Sequence, residues 1–338
     1  MNNFNQLVHI VRDAMPVIQI GIPEVVGGFI TAMFLRGNTR RKEFEKIKMG
    51  KVQEAVNDLV KNHELTLTEL VKCNNLLKIA ELADREYKNR DSKQETNTNP
   101  EFDFDWFLRF FEGAGNISNE DMQLIWARIL AGEVQQQGTF SLRTLDTLRN
   151  MTQSEAILVE QVAQLVLTQV NRKKFIYCDN LSTHLTYEEK IAELNEAYGI
   201  DDQVISIMIE CGILESAKKL YRVSFFEGNS HIYNGNIIIV FHSKSNPNQD
   251  YEEFLEYYGY EVTKIGTQIM SVVGVQSDNS YILDLGLILK KKYSDFDISA
   301  YGIKAIDGNN IIIDNDFEVL DGYKNETIID DSLQWEKK

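Results

Sequence analysis

The sequence predicts a mainly α protein with a C-terminal α+β part, in which a helical hairpin and a helical bundle precede a winged-helix-like domain. Through the first half of the chain, apolar residues recur three and four positions apart, which is the spacing of amphipathic helices. Residues 90–100 contain no large apolar side chain and end in a proline, so they predict a linker between two helical blocks. Beyond residue 171, β-branched and aromatic residues become frequent, which favours strands.

Residues 1–36 form an apolar N-terminal segment. As a helix, the stretch from Ala14 to Leu35 would approach the hydrocarbon thickness of a bilayer. Pro16 and Pro23 would interrupt such a helix. The segment therefore favours packing within the protein or between copies of it, with contact to a membrane surface as the alternative.

Residues 37–89 predict a charged amphipathic helical hairpin, because their apolar positions fall into two runs at helical spacing. Basic residues cluster where the first of these helices begins. They would contact a membrane surface or another polyanion, or they would neutralise the acidic remainder of the protein. The cluster consists of Arg36, Arg40, Arg41, Lys42, Lys46, Lys48 and Lys51.

Residues 101–170 predict a compact bundle of four helices. The first helix carries a stripe of aromatic side chains, and the glycine-rich run at residues 112–116 is expected to end it. Ser118, Ser141 and Thr152 mark the starts of the next three helices. The aromatic and aliphatic side chains of this block are expected to pack helix against helix and not to line a substrate site.

Residues 171–320 predict an α+β domain with the element order of a winged helix. A strand and two helices are followed by two β-rich runs, residues 219–226 and 231–242, which a turn-forming segment is expected to join into a hairpin. A further helix then begins at the pattern Thr263-x-x-Gly266.

The end of the chain predicts three more features. Residues 281–292 have the pattern of a helix, and the sequence Asp-Gly-Asn-Asn at residues 307–310 predicts a second hairpin. Residues 321–338 form an acidic tail that is expected to fray.

The formal net charge of −16 is concentrated beyond residue 100, where 38 Asp and Glu oppose 20 Lys and Arg. This acidic body repels phosphate backbones, so nucleic acid is an unlikely partner for it by charge alone. The second helix of the winged-helix-like order, at residues 201–214, carries no Arg or Lys, which also argues against the reading of bases.

Cysteine usage and the N-terminus both predict a cytoplasmic protein. Cys73, Cys178 and Cys211 lie far apart without CxxC spacing, which favours packing over disulfide bridging. The N-terminus lacks the charged, apolar and small-residue regions of a secretory signal. A position at the inner face of a membrane is the alternative if the apolar N-terminal segment binds there.

Four charged residues within or beside apolar stripes are candidates for an anion-binding or partner-binding cluster: Arg109, Arg128, Glu133 and Arg143. The alternative is a set of ion pairs and helix-end contacts that fix how the helices dock, because charges near a core are usually paired. The second interpretation is favoured, and no residue is assigned a catalytic role.

The sequence predicts neither a metal site nor a cofactor. His231 and His242 would approach each other across a hairpin, but no cysteine or carboxylate stands at ligand spacing beside them. The glycine-rich run at residues 112–116 follows a helix instead of a strand, so it does not make a phosphate loop.

Four motifs carry a family resemblance. They are Trp106-Phe107-x-Arg109-Phe110, Asn116-Ile117-Ser118-x-x-x-Met122-Gln123, Trp126-Ala127-x-Ile129-Leu130-Ala131-Gly132-Glu133 and Gly138-x-Phe140-Ser141-Leu142-Arg143-Thr144-Leu145. The chain resembles an uncharacterised group of bacterial proteins that is classed as a domain of unknown function. The resemblance implies an architecture and a bacterial or phage-associated origin, without an established activity. Some relatives look like accessory proteins of mobile elements or of antiphage defence.

The leading functional hypothesis is a non-enzymatic bacterial interaction protein, plausibly an antiphage-defence or mobile-element effector or accessory. It would form a homo-oligomer or bind a protein partner, or contact a membrane through the apolar N-terminal segment. One alternative is a transcriptional regulator of the winged-helix type. Another is an enzyme whose site is assembled from dispersed residues.

Overall fold

The computed structural model describes residues 67–89, 103–169, 172–178, 185–224, 230–243, 254–274, 279–293, 296–307 and 310–318. The chain divides into two compact units, Met1–Gln153 and Ser154–Lys338. The division lies inside the segment predicted as a four-helix bundle, so most of its last helix belongs to the second unit.

The described part of the first unit is helical. Its helices are α1 (Leu67–Asn89), α2 (Phe104–Gly115), α3 (Glu120–Gln135) and α4 (Leu142–Asn150). Helix α1 packs against α2 and α3, and α4 packs against α2.

Aromatic rings form the centre of this helical packing, as the sequence predicts. Trp106 stacks on Phe110 with ring centroids 5.3 Å apart, and Phe110 meets Trp126 at 5.4 Å. All three side chains are buried. Gly113 lies within α2 directly against the Trp126 ring, so this glycine provides room for the ring and does not end the helix.

Side-chain caps fix where the helices of the first unit begin. Asp103 accepts a hydrogen bond from the Trp106 N–H, and Ser141 caps α4 as predicted. The prediction that Ser118 caps α3 is wrong, because the capping side chain is Asn119.

The described part of the second unit combines five helices with a single sheet. The helices are α5 (Gln153–Leu165), whose first residue belongs to the first unit, α6 (Leu185–Ala197), α7 (Asp202–Glu210), α8 (Lys264–Met270) and α9 (Ser280–Lys292). The strands are β1 (Leu167–Gln169), β2 (Lys174–Tyr177), β3 (Leu214–Ser224), β4 (Ser230–Asn234), β5 (Ile237–Ser243), β6 (Phe254–Val262), β7 (Phe296–Asp307) and β8 (Asn310–Glu318). All strand pairs are antiparallel, in the order β3-β6-β2-β1-β4-β5-β7-β8.

The predicted fold class, mainly α with a helical bundle and a winged-helix-like domain, is wrong. The described residues form a mixed α+β fold with an eight-stranded antiparallel sheet. The helices and several strands were predicted correctly as local elements. Their assembly into one large sheet depends on pairing between strands that are distant in the sequence.

The hairpin predicted between residues 219–226 and 231–242 is also wrong. Strand β3 pairs with β6 and lies at the opposite end of the sheet from β5. The hairpin is formed instead by β4 and β5, where Asn234 faces Ile237 across a two-residue turn. The second predicted hairpin is confirmed, because β7 and β8 pair with Asp307 opposite Asn310.

A ladder of aromatic rings holds three strands of the sheet together. Phe175 and Tyr177 of β2, Tyr221 of β3 and Tyr257 of β6 stack with centroids between 4.7 and 5.5 Å apart. Gly259 lies among them, where a Cβ atom would approach the Phe175 ring to 2.8 Å. The absence of a side chain at Gly259 therefore lets the rings stack.

Buried hydrogen bonds fix helices α6 and α9 in the second unit. Asn195 of α6 donates to the carbonyl of Tyr177 at 2.9 Å and accepts from the Tyr281 hydroxyl of α9 at 3.0 Å. The Tyr198 hydroxyl donates to the carboxylate of Asp284, which is fully buried in α9. These paired groups are structural contacts between elements.

Within the described ranges, no helix combines the length and apolar character needed to cross a bilayer. The stretch from Ala14 to Leu35, for which membrane contact was an alternative, lies outside those ranges.

Candidate functional site: the free edges of the sheet

The charged residues proposed as a cluster are held by partners on different helices. Arg109 of α2 binds Asp146 of α4 through one guanidinium nitrogen at 2.7 and 3.0 Å. Arg128 of α3 lies 3.6 Å from the carboxylate of Glu86 on α1. Each arginine thus joins a separate pair of helices, as in the ion-pair interpretation.

Glu133 is buried and organises the loop after α3. Its carboxylate accepts hydrogen bonds from the backbone N–H groups of Gly138 and Phe140, and the Trp106 indole donates to the Phe140 carbonyl at 2.8 Å. Burial raises the pKa of the Glu133 carboxyl, although the backbone N–H groups oppose the rise. Both oxygens of the carboxylate are therefore engaged by the backbone of this loop. Arg143, the fourth proposed residue, is exposed on α4.

The basic cluster proposed for a membrane or a polyanion, from Arg36 to Lys51, lies outside the residues that the structure describes. That assignment stays a prediction.

Burial favours the unreactive thiol form of Cys178 and of Cys211. Burial raises the pKa of Cys178 and that of Cys211 to about 11 each. Because the thiolate is the nucleophile, a thiol with so high a pKa is a poor one at neutral pH. Cys73 is fully buried, and all three cysteines are free of disulfides.

The two histidines of the β4–β5 hairpin are not direct cross-strand neighbours. His231 is paired with Val240, so His242 lies one diagonal step away. Burial lowers the pKa of His231, which favours its neutral form. Among the described residues, no three His, Cys, Asp or Glu side chains converge as metal ligands would.

Lys292, at the end of α9, has a pKa that the fold shifts towards neutral pH. Its ammonium lies 4.7 Å from the centre of the Tyr293 ring. Burial lowers its pKa from 10.5 to about 8. The folded state therefore disfavours the charged amine, and the stability gained from the neutral form is lost as the pH falls from about 10.5 to about 8.

We expect Lys292→Met to raise the free energy of unfolding by about 1 kcal/mol at pH 7, because it removes a charge that burial penalises while keeping the apolar stem. The gain should disappear near pH 11, where the wild-type amine is largely neutral in both the folded and the unfolded protein. Urea denaturation at both pH values measures it. Lys291→Met, at an exposed neighbouring position, is the control and should change little. An equal effect of Lys292→Met at both pH values would show that packing, and not charge, is responsible.

Among the described strands, β3 and β8 lie at the two ends of the sheet, and these edges differ in their chemistry. Along β3, Lys219 forms an ion pair with Glu261 at 2.7 Å, and the Lys218 ammonium lies 5.6 Å from the centre of the Tyr260 ring. The pairing register also shifts between Leu214 and Lys218. Lysines protect an edge strand from adding another strand, and here they directly precede Leu220, which is 46% exposed. Register shifts do not distinguish the two edges, because the β7–β8 pairing also contains them.

The β8 edge is apolar near the β7–β8 turn. Ile312 of β8 is 49% exposed and Ile306 of the neighbouring strand β7 is 48% exposed. Ile311 and Ile313 are half-buried beside them. We refer to residues 305–306 and 311–313 as the isoleucine edge. It is the described part of the sheet most suited to receive a further strand, because its outer backbone groups pair with no described strand and lie beside exposed β-branched side chains.

Sequence reasoning did not single out the residues of the isoleucine edge. Three consecutive isoleucines after a predicted turn were the available signal. The same pattern is typical of a strand buried in the middle of a sheet, so only the strand order shows that it lies at an edge.

The structure also joins two sequence patterns that lie far apart. The Thr263 hydroxyl donates to the Gly212 carbonyl at 2.6 Å, and the Thr263 N–H donates to the Ile213 carbonyl at 2.9 Å. Gly266 then follows in the first turn of α8. The segment after α7 and the start of α8 are thus clasped together, which anchors the ends of β3 and β6.

These features define a two-unit α+β protein with a large antiparallel sheet. The chain belongs to the family described as "Protein of unknown function (DUF2806)", whose model matches residues 61–286. This match confirms the resemblance to an uncharacterised family and includes both halves of the clasp. No curated protein and no solved structure matches the chain.

Proposed function

We propose that this protein is a non-enzymatic interaction protein that binds an extended segment of a partner along the isoleucine edge. The observation that carries the proposal is the exposure of Ile306 and Ile312, at 48% and 49%, beside the outer edge of β8, which no described strand pairs. Strand addition to an open edge is a common mode of peptide recognition, because main-chain hydrogen bonds supply affinity and side-chain contacts supply specificity.

The contrast between the two edges supports this assignment. Lys218 and Lys219 protect β3, whereas the exposed positions of the isoleucine edge carry aliphatic side chains. Proteins that need no partner at an edge usually protect it. The sheet thus has a protected edge at one end and an unprotected edge at the other, and this difference favours a binding role for the unprotected edge.

The two alternative functions are supported less well. The transcriptional regulator depended on a winged-helix order that the sheet replaces. The enzyme hypothesis would need an available nucleophile or base. Among the described candidates, both carboxylate oxygens of Glu133 accept backbone N–H groups, burial favours the thiol form of Cys178, and Asp284 accepts from the Tyr198 hydroxyl. An antiphage or mobile-element setting is proposed from the family resemblance alone. If phages form plaques with equal efficiency on cells with and without the gene, the antiphage setting is wrong.

We expect Ile312→Ser to weaken peptide binding about tenfold, because it removes apolar contact area at the centre of the edge. Random linear peptides would be selected on the full chain, and the enriched peptides titrated against wild type and variant. Ile157→Ser is the matched control, since Ile157 is also 49% exposed but lies on helix α5. Thermal melts of both variants would show that the fold is kept. Enriched peptides that bind wild type and Ile312→Ser equally would overturn the proposal.

A further inference from the structure

The isoleucine edge exposes apolar side chains on both faces of the sheet. Residues opposite each other on paired strands point to the same face, and consecutive residues point to opposite faces. Ile306 is opposite Ile311, and Ala305 is opposite Ile312. Exposed Ile306 therefore lies on one face and exposed Ile312 on the other. A strand added beside β8 would therefore meet Ile311, on the face of Ile306, and Ile312 on the other face, so it has aliphatic neighbours on both faces.

Two aspartates, Asp307 before the turn and Asp314 after Ile313, flank the apolar end of the same hairpin in the chain. Between residues 296 and 318 the only basic residue is Lys304. The acidic residues of this range are Asp297, Asp307, Asp314, Asp316 and Glu318. Charges at the rim of a binding surface steer partners of opposite sign and repel those of like sign.

Resting on the proposed function, we propose that the partner segment is a strand with a continuous β-branched apolar centre and Lys or Arg at its ends. The two-sided apolar surface selects the centre, because an alternating strand would place polar side chains against one isoleucine face. The aspartates that flank the isoleucines favour basic residues at the two ends of the partner strand, because opposite charges attract. A second copy that paired through the same hairpin would bring the same acidic residues, so charge complementarity favours a basic segment over pairing of one hairpin with another.

The test uses three labelled peptides and the full-length protein. The first has an Ile-Val-Ile-Val centre with two Lys at each end, and the second has Glu in place of each Lys. The third keeps the Lys ends but has two prolines in the centre, which prevent strand pairing. Fluorescence anisotropy would measure binding at ionic strengths from about 0.05 to about 0.5 M, since added salt screens exposed charges. Ile312→Ser and Ile157→Ser are measured in parallel.

The Lys-ended peptide should bind about tenfold more tightly than the Glu-ended peptide at low salt, and the gap should narrow at high salt. Ile312→Ser should weaken both peptides, Ile157→Ser neither, and the proline peptide should not bind. If Ile312→Ser weakens both peptides but their affinities are equal, the edge binds strands and the basic partner is wrong. If no peptide binds, or if Ile312→Ser has no effect, the proposed function fails together with this inference.

Discussion

Gly266→Ala is expected to lower the free energy of unfolding of the second unit by about 3 kcal/mol, the largest effect of a single methyl group among the substitutions considered. A Cβ atom at Gly266 would overlap the carbonyl oxygen of Ile213 and approach Cγ1 of Val262 to 2.9 Å. The Ile213 oxygen cannot move aside easily, because it accepts the Thr263 N–H at 2.9 Å. The clash therefore involves backbone on both sides of the clasp.

Urea denaturation followed by far-ultraviolet circular dichroism would measure this loss. Lys264→Ala is the control, because Lys264 is exposed in the same helix and alanine is a good helix former. If Gly266→Ala were as stable as Lys264→Ala, the start of α8 would have to separate from Ile213 at little cost. The clasp would then not be a rigid part of the fold.

Gly113→Ala should destabilise the first unit by about 2 kcal/mol. The new Cβ atom would overlap the Trp126 ring, which is fully buried and packed on Phe110. Overpacking a well-packed core forces side chains out of their preferred rotamers, and this cost exceeds the gain of about 1 kcal/mol from replacing glycine in a helix.

Gly115→Ala provides a matched control two residues further along α2. A Cβ atom there would lie 3.6 Å from Cβ of Lys72, which is an ordinary contact distance. We expect it to leave stability unchanged or to raise it slightly. Tryptophan fluorescence during denaturation would report on both variants. Equal stabilities for Gly113→Ala and Gly115→Ala would contradict the tight packing of Trp126.

Part of the candidate site could be predicted from the sequence. The turn at residues 307–310 and the three isoleucines after it indicated a strand, and the acidic composition excluded some partners. Their edge position could not be predicted, because strand order is set by long-range pairing that leaves no local pattern. Glu133 illustrates the same limit. Its position in α3 could be predicted from the sequence, but its hydrogen bonds to backbone N–H groups five and seven residues later could not.

The sequence by itself determined the local elements of this protein. Hydrophobic periodicity, capping side chains such as Ser141 and turn-forming residues act over a few positions, so helices α2 to α9 and the β7–β8 hairpin could be recognised from them. Tertiary structure alone decided that β3 pairs with β6 and that eight strands share one sheet. It also decided which isoleucines are exposed. The physical reason is that burial and strand pairing depend on residues far apart in the chain, whose contacts are selected only when the whole core forms.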